Sequence, residues 1–213
     1  GTSVGNWLKL ETDARAVGMG GAQVAAGQGV SSIHYNPSSI AFMGGTQLYY
    51  THTNYVAGIT HGAMAYGTRL TPTDFFALHY FSMNSGDMEV TNAYFPDGTG
   101  ELFQVMGMCF RGTYARIMTD RLKVGVSFKY IHESIYTVKM STVAFDIGSN
   151  FKTGIYGFIL GMSITNFGLD GQFHGEGLDK QVADSLSVDG KLQKVTEKFP
   201  LPMAFRLGLK NTF

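Results

Sequence analysis

Leu122–Tyr130 reads LKVGVSFKY. Leu122, Val124, Val126, Phe128 and Tyr130 alternate with Lys123, Gly125, Ser127 and Lys129. Successive side chains of an extended strand point to opposite faces, so this stretch predicts a strand with one bulky apolar face and one small or charged face. The pattern recurs. Val143, Phe145 and Ile147 alternate with Ala144, Asp146 and Gly148. Tyr156, Phe158, Leu160, Met162 and Ile164 alternate mostly with Gly157, Gly161, Ser163 and Thr165. Met203, Phe205, Leu207 and Leu209 alternate with Ala204, Arg206, Gly208 and Lys210.

Two architectures accept this alternation. A soluble sandwich turns the apolar face inward, whereas an outer-membrane barrel turns it to lipid and lines its lumen with the small and charged face. Strand length and connections favour the barrel. Eight strands are expected, at 46–56, 61–70, 74–83, 102–117, 121–136, 142–151, 156–166 and 203–212. Most reach the roughly 9–11 residues a tilted membrane strand needs. Thr71–Thr73, Met118–Asp120 and Lys152–Ile155 make short connections, while Asn84–Glu101 and Phe167–Pro202 make long polar ones. Short turns on one side and long loops on the other are the barrel pattern, with 57–60 and 137–141 as short exceptions on the long-loop side. This parity puts the N-terminus on the short-turn, periplasmic side. Tyr49, Tyr50, Tyr55, Tyr130 and Tyr136 fall near strand ends, where an interfacial girdle belongs.

Composition agrees. The 213 residues carry 15% charge, with 16 Lys+Arg balanced by 16 Asp+Glu. Soluble proteins average about 25% charge. The balance excludes the basic excess of a nucleic-acid binder, so no nucleic-acid partner is expected. No run of about 18 apolar residues offers a transmembrane helix. A single cysteine, Cys109, excludes an internal disulfide framework.

Upstream, Asp13–Ala41 reads DARAVGMGGAQVAAGQGVSSIHYNPSSIA. Its GMGGA superficially suggests a phosphate cradle. Gly18, Gly20 and Gly21 lack the third glycine of a dinucleotide fingerprint, no Lys follows as in a P-loop, and no βαβ unit surrounds them. Close backbone packing is the expected use of these glycines, and Asn36-Pro37 predicts a turn.

With these residues in place, the chain resembles the PorV/PorQ family of FadL-like outer-membrane barrels. The resemblance is carried by GTS, WLKL, DARAVGMGGA and YNPSSIA, then by TGELFQVMGMCFRGTYARIMTDRLKVGVSFKYI, AFDIGSNFKTGIYGFILGMSITNFG and LPMAFRLGLK. Ser38 stands where the family usually has Ala. The resemblance implies an all-β antiparallel transmembrane barrel in the bacterial outer membrane. Residues 1–45 would form a hatch packed through Gly18, Gly20, Gly21, Asn36 and Pro37, and residues 46–213 the barrel strands. FadL-like barrels have about 14 strands, within the even-stranded range, so eight strands imply either part of a larger barrel, which is the favoured expectation, or a small barrel. Phe213 resembles the terminal aromatic of an insertion signal, although Asn211 breaks the alternation.

The parity expected to face inward collects Arg69, Arg111, Lys123, Lys129, Asp146, Arg206 and Lys210. Charge within a barrel needs water or partners. An ion-pair network pinning the hatch is one use, and a track for an anionic or amphipathic substrate is another. Arg15 is a candidate hatch anchor for Asp146. No catalytic site is expected: six scattered histidines form no ligand motif, and Ser127 and His132 share a strand at opposite parity. No metal or cofactor is expected. Asp87, Glu89, Asp97 and Glu101 match no EF-hand spacing and read as a solvated loop. Phe167–Pro202 reads as a surface loop with a short helix around Lys180–Leu186.

Three functions follow. The resemblance implies a type IX secretion component that receives or shuttles exported cargo, with secretion-system proteins and lipid bilayer as partners. A FadL-like transporter of hydrophobic small molecules is the alternative. A structural or assembly partner in an outer-membrane complex is the third.

Overall fold

The computed structural model describes residues 3–178, 180–181, 191–192 and 195–211. Eight long strands form one antiparallel meander: β1 (Gln47–Asn54), β2 (Thr60–Arg69), β3 (Asp74–Asn84), β4 (Val105–Ile117), β5 (Leu122–Ile135), β6 (Val138–Lys152), β7 (Ile159–Gly168) and β8 (Ala204–Lys210). Each pairs with its neighbours in sequence, and β1 and β8 are the edges of a sheet that is not closed. The architecture is all-β and barrel-like. No helix among the described residues is long and apolar enough to cross a membrane.

The strand starting at 156 in the sequence begins only at Ile159. Tyr156 has a left-handed backbone, φ 46°, and belongs to the turn. The helix expected around Lys180–Leu186 is not present where the structure can be read: Lys180–Gln181 is a short strand pairing with Lys191–Leu192. Residues 182–186, like Phe213, lie outside the described residues. The loop after β3 carries a second short ladder, Met88–Glu89 against Leu102–Phe103.

One face of the sheet is bare and apolar. Across β1–β6 the register aligns Tyr50, Met64, Tyr80, Phe110, Tyr130 and Val143 in one row. One row towards the long loops stand His52, Gly62, Ser82, Met108, His132 and Ser141. At the other end Asp74 and Arg116 pair at 3.6 Å, level with Val124. From Val124 to His132 is roughly 26 Å of strand, or about 20 Å of height at the usual barrel tilt. An apolar belt flanked by polar rows therefore runs along this face.

The other face is covered by the N-terminal segment. Its elements are short: 3-10 turns Asn6–Lys9, Val30–Ser32 and Pro37–Phe42, and a single α-helical turn, Ala14–Gly18. Ordinary capping chemistry sets them. Asp13 accepts from Arg15 N at 2.9 Å, and Asn36 accepts from Ser38 N at 3.0 Å with Pro37 at the first position of its turn. The segment runs the full depth of the sheet. Val4 N donates to Pro200 O beyond the long-loop ends of the strands, whereas Ala41 O accepts from Lys123 Nζ at the short-turn end. The parity argument for the N-terminus thus holds only for the entry into β1. Residues 4–8 pack at the opposite, long-loop end.

Two apolar clusters lie between segment and sheet. Trp7, Leu8, Phe81, Cys109, Ile131 and Met140 belong to the one near the long loops. Val30, Ile33, Ile40, Met43, Phe75 and Ala115 belong to the one near the short turns. Polar and charged groups occupy the level between them.

Candidate functional site

At mid-depth the register sets His79, Arg111, Lys129 and Ala144 side by side on β3–β6. Asp146 sits one step lower, opposite Ser127. Arg111, Lys129 and Asp146 are all buried. Lys129 Nζ lies 2.6 Å from Asp146 Oδ1, and Arg111 Nε 3.6 Å from Asp146 Oδ2. Taking three charges out of water is costly unless they are paired and hydrogen-bonded. One carboxylate here serves two cations, so the group retains one net positive charge.

A β-bulge completes the pairing. The β6–β7 register steps from Phe145–Phe167 to Ile147–Ile164, so Thr165 and Asn166 together oppose Asp146. Both therefore turn to the covered face. Asn166 takes a left-handed φ of 61°, a conformation Asn tolerates better than most residues. Its N–H donates to Asp146 Oδ1 at 2.8 Å, its side-chain oxygen accepts from Lys129 Nζ, and its Nδ2 donates to Pro202 O at 2.9 Å. The bulge thus ties the charge group to the start of β8. Strict alternation along 156–166 does not reveal it.

The other inward-parity charges lie apart. Arg69 is exposed and donates to Thr71 O and Pro72 O in the turn after β2. Lys123 reaches the segment, over the Phe42 ring at 3.4 Å. Arg206 donates to Thr165 Oγ1 at 2.8 Å. Arg15 does not meet Asp146: it is exposed on the helical turn, and Asp146 is already taken by Lys129 and Arg111. Tyr49, expected in the aromatic girdle, faces the segment and donates to Thr12 O at 2.6 Å.

Glycine supplies the contact between segment and sheet, but from the strands. A Cβ on Gly125 would lie 2.5 Å from the Pro37 carbonyl carbon, and one on Gly161 2.5 Å from Val24 O. On Gly148 it would stand 2.8 Å from Pro37 Cδ, and on Gly107 2.7 Å from Trp7 Cδ2. Real Cβ atoms do not approach so closely, so these positions admit only glycine with the segment where it is. The close packing expected of Gly18, Gly20 and Gly21 is not found. No atom lies within 4 Å of where a Cβ would sit on Gly18 or Gly20, and on Gly21 it meets only the Glu11 carboxyl, at 3.2 Å. Gly20 and Gly21 instead provide the left-handed turn after the helical turn, at φ 63° and 80°. Asn36 and Pro37 fill the slot at Gly148. Asn36 Nδ2 donates to Val24 O at 2.8 Å and to Ser149 O at 3.1 Å, while Asn150 Nδ2 donates to Ser38 Oγ at 2.7 Å.

Three histidines are buried nearby. His34, on the segment, and His61, on β2, both meet the Phe81 ring edge-on, at 5.9 and 6.0 Å. His79 is on β3. The Nδ1 atoms of all three lack hydrogen-bond partners among the described residues. Burial, reinforced by Arg111, lowers the His34 pKa well below 6.5 and keeps its ring neutral. Burial and the Glu11 carboxylate together push the Tyr35 phenol up. Among the described residues no three His, Cys, Asp or Glu side chains converge as a metal centre. Ser127 bonds Thr113 at 2.8 Å on the covered face, while His132 bonds Ser141 at 2.9 Å on the bare one.

An antiparallel meander with an apolar belt on one face is the all-β, barrel-like architecture that the sequence resemblance implies. Residues 2–212 match the family of the type IX secretion system protein PorV. The chain belongs to the PorV family. It is thereby a type IX secretion-related outer-membrane protein. No curated protein matches the chain. Membership in the PorV family names a secretion component rather than an enzyme family.

Proposed function

We propose that the chain receives or shuttles exported cargo at the outer membrane, with residues 1–45 as a hatch inside a barrel whose bare face meets lipid. Gly125, Gly148 and Gly161 seat the hatch, and Arg111, Lys129 and Asp146 hold the wall beneath it. The filled interior is the observation that carries this reading. The cavity between the segment and β1, about 530 Å³, has Lys9, Glu11 and Thr51 in its wall beside Leu10, Val17 and Tyr55. That apolar part of the wall, which a site for a hydrophobic solute needs, favours a second reading, a transporter of hydrophobic small molecules. Partner contact falls to the long-loop end. There the hairpin after β3 presents Tyr94 and Phe95, which are 89% and 59% exposed.

The test replaces Gly86–Phe103 by a short Gly-Ser linker in the full-length protein. Cargo reaching the cell surface and uptake of a labelled fatty acid are then measured in the same cells. Cargo should accumulate in the periplasm while uptake stays unchanged. Normal cargo display with impaired uptake would favour the transporter instead.

A further inference from the structure

We propose that His34 is a proton-sensitive latch: acidification charges it and loosens the N-terminal segment from the sheet. The proposal rests on the hatch reading above. His34 lies on the segment itself, between its two bonded ends, and its ring is packed edge-on to Tyr35 at 5.4 Å and to Phe81 at 5.9 Å. Its surroundings are cationic from several sides. Arg111 comes from β4, Lys129 from β5 and Arg206 from β8, with the buried imidazole of His79 from β3. His61 on β2 stacks on the same Phe81 ring. The nearby carboxylate, Asp146 on β6, already serves Lys129 and Arg111. A proton on His34 would add a second net positive charge to a dry group that already holds one, and the Nδ1–H would find no acceptor. The docked segment therefore excludes the proton, and the released segment accepts it.

The sign follows from linkage. A histidine held neutral when docked contributes fully to docking above its free pKa of 6.5. As pH falls below that value the released form gains a proton that the docked form refuses. The opening equilibrium then grows about tenfold per pH unit until the docked pKa is reached. His79 lies on the sheet beside Arg111, but the same docked segment covers it, so His79→Gln separates its contribution from that of His34.

Hydrogen exchange on the full-length protein in lipid nanodiscs reads this directly. Peptides covering Val24–Met43 are followed from pH 7.5 to 5.0, with rates corrected for intrinsic exchange. Wild type should be protected at pH 7.5 and should open about tenfold more per pH unit below 6.5. His34→Gln should be flat, and His79→Gln should keep the slope. Protection without a slope overturns the proposal alone. A slope that survives in His34→Gln also overturns it, because the sensor is then elsewhere. Exchange at loop rates already at pH 7.5 overturns the hatch reading and the latch with it. Should His34→Gln fail to assemble, nitrogen-labelled histidine NMR of wild type decides: a neutral His34 ring in the docked form below pH 6.5 supports the latch, and an imidazolium there overturns it.

Discussion

The two faces of the sheet carry opposite chemistry under opposite cover. The face beneath the N-terminal segment is glycine, serine, threonine and buried charge: Gly125, Ser127 and Lys129 on β5, Asp146 and Gly148 on β6. The face with no protein on it is Val126, Phe128 and Tyr130 on β5, Phe145 and Ile147 on β6, all exposed. In a water-soluble protein the arrangement would be reversed. The difference shows that the segment does not hold the sheet by area of apolar contact alone. It fits by backbone approach at glycine slots and by saturating hydrogen bonds. On the proposed reading the bare face meets lipid, and hydrocarbon asks only for apolar surface of the right height.

The largest effect should come from the charge group. Asp146→Asn leaves Arg111 and Lys129 buried together without a counter-charge, and losing one partner of a buried pair costs about 3–5 kcal/mol. The folded, heat-modifiable band on electrophoresis should weaken sharply, and Lys129→Met in the same chain should restore part of it. Equal stability of Asp146→Asn and wild type would mean that water reaches the cluster.

The bare face offers the next. Val126→Arg should cost about 2–4 kcal/mol at the bilayer midplane, while Ser141→Arg, in the polar row near the long loops, should cost about 0–1 kcal/mol. Urea titration in lipid vesicles measures both. Equal costs would mean that the belt does not sit in hydrocarbon. Ser127→Arg is no cheap control, since Ser127 is buried against Thr113 beneath the segment.

The slots come third. Gly148→Val drives a side chain into Asn36 and Pro37, and overpacking of this kind costs about 1–3 kcal/mol. Exchange protection of Val24–Met43 should fall while that of the strands holds. The smallest effect belongs to the segment's own glycine. Gly18→Ala meets open space at the end of a helical turn, so thermal unfolding should be unchanged or raised, by less than about 1 kcal/mol. A clear loss at Gly18 would restore the idea that this glycine packs against a neighbour.

The strands were legible because alternation is local: nine residues, Leu122–Tyr130, suffice to sort both faces of β5. The missing parts depend on which distant backbone arrives. Gly125 and Gly148 read in sequence only as small residues on one face, and nothing local says that Pro37 will press on them. GMGGA drew attention because its glycines cluster, yet they serve a turn rather than a contact. The bulge at Thr165–Asn166 broke the expected alternation, since an extra residue in one strand shows only when its partner is known. Arg69 followed the inward parity but stands at the end of β2, where the turn gives it backbone oxygens and water.

The full-depth course of the segment has a consequence for biogenesis. Gly5 N bonds the Glu133 carboxylate and Tyr35 O accepts from Ser163 Oγ, each pair 128 residues apart. These locks have no partner until β5 and β7 are laid down, and Val4 must wait for Pro200, next to β8. Contacts of such separation are slow to form, because the entropy of closing the intervening chain is lost before they contribute. The segment, made before every strand it contacts, is therefore fastened last. During insertion the wall assembles around a loose thread, and the charged interior stays wet until that thread draws tight.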